Sequence, residues 1–146
     1  MTLTEALALL HKAGSIRCIG GDPAKSLPLD APGTARIDVR GFTWRCGQDG
    51  LWRHDRGLYH GSDYAPQMEA GSSWEYALTD PATRGALLDI AREAWGDPGI
   101  HIAPHSSGAI WWVYTGKGHG PIGSGPTEGE AIAAAIIAAA EALEAP

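Results

Sequence analysis

Cysteine is nearly absent from this chain. Cys18 and Cys46 are the only two, too few for a disulfide framework, and each sits in an alternating apolar segment, so the expectation is reduced thiols packed as small hydrophobes. A single bridge stays open if their strands are neighbours. No apolar run approaches the ~20 residues that cross a bilayer, and Met1 to Glu5 lacks the basic region and cleavage site of a secretory signal. The expectation is a cytoplasmic protein with no membrane partner. Positive charge is also scarce: 11 Lys and Arg stand against 17 Asp and Glu, a net charge of −6. That excludes general binding to a phosphate backbone, which needs clustered cations, but leaves room for a confined basic patch.

What is present describes a folded protein. Across 146 residues, 44% hydrophobic and 19% charged content suffices for one compact domain with its own core. Thr2 and Glu5 have capping-box spacing, and Leu3, Leu7 and Leu10 recur at helical intervals until Gly14. Ser15 to Ile19 alternates like a strand, and the Pro- and Gly-rich stretch to Gly33 reads as a loop. Further on, Ile37 and Val39 are expected on one side of a strand and Asp38 and Arg40 on the other. Phe42, Trp44 and Cys46 then alternate, and the turn residues Gly47 to Gly50 return the chain through Leu51 to His54. Residues 56–73, carrying Tyr59 and Tyr64, read as a surface excursion.

Asp80-Pro81 starts a second helix whose apolar stripe is Leu87, Leu88, Ala91 and Trp95, with Gly96 at its C-terminal cap. Ile100 to Ala103, Ala109 to Thr115 and Pro121 to Ser124 read as strands. Thr127 and Glu130 form a second capping box, opening a helix that buries Ile132, Ile136, Ala140 and Leu143. The fold class expected is α+β, an antiparallel or mixed sheet packed against about three helices in one domain, with sub-structure at 1–75 and 76–146.

The run Asp80 to Leu88, continued by Arg92 to Gly96 and closed by Thr127 to Ala131, resembles small phage and prophage proteins, some described as a phage α-β-α sandwich domain. The resemblance covers roughly the C-terminal half and rests on caps and core positions. It implies a phage-encoded protein in the host cytoplasm and transfers no catalytic residue.

Catalytic signatures are missing. Gly116 to Gly125 lies between a strand and a helix, where backbone amides can cradle an anion, but Lys117 is far upstream of the helix and Glu128 and Glu130 fill its first turn, so this is not a Walker loop. His101 and His105 are separated by Pro104 on extended chain, and His54, Asp55, His60 and Asp63 lack diagnostic spacing; neither set predicts a metal. Ser106, Ser107, His105 and Asp97 can be written as a triad, yet no G-x-S-x-G elbow accompanies them.

The aromatics carry more. Trp44-Arg45 and Trp52-Arg53 flank one turn, and an exposed indole beside a guanidinium would suit a stacked nucleotide. Trp111 and Trp112 are adjacent and must send their rings to opposite faces. The binding candidates are therefore Trp44, Arg45, Trp52, Arg53, Lys117 and His119. The expected function is non-catalytic binding without cofactor or metal: an inhibitor of a bacterial antiviral defence that blocks a host protein complex or sequesters a small nucleotide. The alternatives are a small-ligand enzyme built on residues 116–125 and an assembly component that forms a homo-oligomer.

Overall fold

A computed structural model describes residues 1–16, 33–38, 41–48, 52–54, 74–118 and 120–145. The chain is α+β: among the described residues there are three helices and two antiparallel sheets, so the strand segments divide between two sheets and do not join one. It forms two compact units, residues 18–83 and a discontinuous unit of residues 1–17 and 84–146.

In the first unit, β1 (Ala35–Asp38), β2 (Thr43–Cys46), β3 (Trp52–His54) and β4 (Trp74–Tyr76) form a sheet in the order β3-β2-β1-β4. The expected hairpin is present, pairing Arg45 with Arg53 and Cys46 with Trp52, whereas β4 carries no sequence expectation and pairs along β1 from Arg36 to Asp38. Ile37 and Asp38 fall on opposite sides of β1 as expected, and the side that faces inward is the polar one. Ile37 is 36% exposed, while Arg36 and Asp38 are buried at 1% and 6%. Register explains it: Arg36 lies opposite both Trp44 and Tyr76, so its face is the one that carries the large aromatics. There the guanidinium sits 3.8 Å over the Tyr76 ring, and Asp38 accepts hydrogen bonds from the Trp44 indole and the Phe42 amide, both 3.0 Å. These contacts compensate the two buried charges.

The other unit holds α1 (Leu3–Lys12), most of α2 (Pro81–Trp95), α3 (Glu128–Glu144) and the meander β5 (His101–Pro104), β6 (Trp111–Tyr114) and β7 (Pro121–Gly125). The Thr2–Glu5 capping box forms in full, and Thr127 caps α3 by accepting from the Glu130 amide. Asp80 caps α2, accepting from the Thr83 amide at 3.0 Å, and Gly96 takes the left-handed conformation at φ 62°. The buried stripe of α2 is Leu87, Ile90 and Ala91; Trp95 is half-buried and donates its indole N–H to the Ala135 carbonyl at 2.9 Å, tying α2 to α3. Ile132, Ile136 and Ala140 of α3 are buried as expected, but Leu143, in the last turn, is 48% exposed. Ser15 and Ile16 are not in a strand, and the remainder of that segment, with Cys18, lies outside the described residues.

One face of the meander is pressed against α3. A Cβ on Gly123 would stand 2.5 Å from the Ala135 nitrogen, and one on Gly125 would stand 2.9 Å from the Ala131 nitrogen. Val113, opposite Gly123, is wholly buried on that side. The glycines of residues 116–125 are thus accounted for in part by a strand that lets an alanine-lined helix approach closely.

Candidate functional site

The expected arginine-tryptophan surface does not form, because period-2 alternation puts its members on opposite faces. Trp44 and Trp52 are buried at 2% and 1% in a cluster with Cys46, so neither ring is available for stacking from solvent. Arg45, on the other side, is a structural residue. It makes a two-nitrogen contact with the Asp80 carboxylate at 2.9 and 3.2 Å and donates to the Gly33 carbonyl at 2.7 Å. Together with the Thr83 hydroxyl and amide, it holds Asp80 down to a pKa of about 2. Arg53 is exposed on the Arg45 face.

Of the glycine-rich candidates, Lys117 is exposed in the β6–β7 turn and His119 lies outside the described residues. The anion-cradle expectation loses its loop, since residues 121–125 are strand, and Glu128 at the start of α3 is engaged with Arg84. The triad is not assembled either. Asp97 accepts from the Gly99 and Gly116 amides at 2.8 and 2.9 Å, at the end of the β5–β6 pair opposite to the His105–Ser107 turn. Among the described residues no group of three His, Cys, Asp or Glu converges as a metal site. The metal candidates Asp55, His60 and Asp63, and the tyrosines Tyr59 and Tyr64, lie outside those residues.

The structure instead assembles a site on the face of the meander that points away from α3. Because Val113 and Gly123 face the helix, Trp112 and Tyr114 face the other way, with Ala103 and His101 opposite them on β5. His101 stacks on Tyr114 with centroids 5.6 Å apart, Trp112 lies 5.9 Å from Tyr114, and His105 packs on Trp112 at 4.8 Å. Four rings thus make a continuous row across β5 and β6. His101 and Ser124 are exposed, and Trp112, Tyr114 and His105 are half-buried, so the row is reachable from solvent. Trp111, the other half of the pair, is on the helix side opposite Gly125.

Both imidazoles are fixed by their Nδ1 atoms. His101 Nδ1 lies 3.1 Å from the Gly99 carbonyl, which only accepts, so that nitrogen carries a proton and, in the neutral ring, Nε2 is the acceptor. His105 Nδ1 accepts from the Ser107 amide at 3.2 Å and lies 3.0 Å from its hydroxyl, which leaves an Nε2–H donor. The row therefore offers stacking area with one acceptor and one donor near its two ends. The signal in the sequence is the i, i+2 repetition of His101, Ala103, His105 against Trp112 and Tyr114, which becomes a row only once the β5–β6 register is known.

No family model, curated protein or solved structure matches this chain.

Proposed function

We propose that this is a non-catalytic binding protein that captures a planar group on the outer face of the β5–β6–β7 sheet. The observation that carries the reading is the row His101–Tyr114–Trp112–His105, four rings each in contact with the next, on a face whose opposite side is packed against α3. Aromatic rings reachable from solvent on a sheet backed by a helix offer stacking area at little conformational cost, worth about 1–3 kcal/mol per stacked base in other systems. Antagonism of a bacterial defence factor is the narrower form of this reading; it rests on the net charge of −6 and on the resemblance of residues 80–88, 92–96 and 127–131 to small phage proteins.

The test is to titrate heteroaromatic compounds into the isotopically labelled full chain while following the backbone amides of residues 101–105 and 111–115. Saturable shifts centred there, abolished in Trp112→Ala, and recovery of the compound unchanged support binding without turnover. Shifts centred on β1–β4, or none at all, refute it. For the narrower form, retention of one host complex from bacterial extract by the unaltered protein and not by Trp112→Ala is the expected result.

A further inference from the structure

The charge of this chain is unevenly spread. All 17 carboxylate side chains lie outside residues 98–127, a stretch of 30 that contains Lys117, His101, His105 and His119 and spans the whole β5–β6–β7 meander. In a protein of net charge −6, the aromatic row is thus mounted on the one long segment free of negative charge. Just before it, the Asp97 carboxylate is turned onto the Gly99 and Gly116 amides, an arrangement that also anchors the β6–β7 turn. Lys117 follows Gly116 directly, is exposed, and has no ion-pair partner among the described residues. The turn places it beyond the Tyr114 end of the row.

From this juxtaposition we infer that the ligand of the aromatic face is a nucleoside monophosphate, its base stacked on Trp112 and Tyr114 and its phosphate directed to Lys117. The inference rests on the binding function proposed above. Stacking alone would suit any flat ring. The carboxylate-free segment that carries the row and the exposed cation beyond one end add a preference for a ring bearing an anion. The Nε2 acceptor of His101 and the Nε2–H donor of His105 add polar groups of both kinds for the base or ribose. A single nucleotide fits better than a strand: a polynucleotide needs a track of cations along its backbone, and this face supplies one lysine in an acidic protein.

Calorimetry on the full chain, first unaltered and then as Lys117→Ala, tests this. AMP, UMP, adenosine and a ten-residue oligoadenylate are compared at low and moderate salt, with amide shifts locating the site. The expected result is tenfold or tighter binding of AMP than of adenosine, an advantage that shrinks as salt rises and disappears in Lys117→Ala, with shifts at His101, Trp112 and Tyr114. Equal binding of AMP and adenosine at those residues overturns the nucleotide assignment while leaving the proposed stacking function standing. Tighter binding of the oligoadenylate than of AMP by tenfold or more also overturns it, in favour of a strand. Absence of binding by all four overturns it as well, and the heteroaromatic titration then decides separately whether the stacking function survives.

Discussion

Gly123 of β7 and Ala135 of α3 meet backbone to backbone: a Cβ on the glycine would fall 2.5 Å from the Ala135 nitrogen and 2.7 Å from the Ala131 carbonyl oxygen. Neither of those atoms is the end of a flexible side chain, so the strand and helix would have to separate. Gly123→Ala is expected to destabilise the chain by about 1–3 kcal/mol, the usual cost of overpacking, read as a lower denaturation midpoint at unchanged slope. Gly118→Ala, in the turn, meets no atom within 4 Å but must hold φ at 74°, and its smaller loss should come from backbone strain alone.

Asp80 links the start of α2 to β2 through Arg45, and its carboxyl is held at about 2, chiefly by the Arg45 hydrogen bond, against an ordinary value of 3.8. A depressed folded-state pKa stabilises the fold fully above the unfolded value and loses that contribution as pH falls from about 4 through about 2. Solvent access to the pair limits the effect to about 1 kcal/mol. Asp80→Asn retains a side chain able to cap the helix while removing the charge, so its deficit relative to the unaltered chain should be visible at pH 7 and should narrow by pH 2.5. A deficit that is constant across that range would mean the cap, and not the ion pair, carries the stability.

Trp95 joins α2 to α3 through one hydrogen bond to Ala135 and a half-buried ring. Trp95→Phe keeps much of the packing and loses the donor, with an expected cost of about 1 kcal/mol. Trp95→Ala removes both and is expected to cost about 3 kcal/mol. Equal losses in urea melts of the two variants would show that the ring itself contributes little.

Helix boundaries were legible because their chemistry is local. Thr2 with Glu5, Asp80 with Pro81, Gly96, and Thr127 with Glu130 each act within one turn, and each cap is formed. The meander was legible from alternation and glycine turns. What local pattern does not encode is which side of a strand faces the core. On β1 alternation separates Ile37 from Asp38 without saying which faces inward; pairing with Trp44 and Tyr76 puts Arg36 and Asp38 there, and compensation by a ring and two donors makes that burial tolerable. The same blindness to long-range pairing hid β4. It also obscured the site: Trp44-Arg45 attracted notice as a dipeptide, yet adjacent strand residues cannot share a face, while Tyr114 and His101 are 13 positions apart in sequence and stack in space.

Arg45 and Trp112 should therefore exchange the roles that the sequence suggests. Arg45→Ala leaves Asp80 and the Gly33 carbonyl without their shared donor, and the expectation is a loss of about 1–2 kcal/mol in stability with ligand binding at the aromatic face retained. Trp112→Ala removes a half-buried ring that faces away from α3, so its stability cost should be smaller than that of Val113→Ala, one residue along and wholly buried on the helix side, where about 1–3 kcal/mol is expected. Binding should follow the opposite order: abolished by Trp112→Ala, retained by folded Val113→Ala. Measuring thermal midpoints and ligand affinity on the same three variants separates scaffold from site, and retention of full affinity by Trp112→Ala would remove the aromatic row as the binding surface.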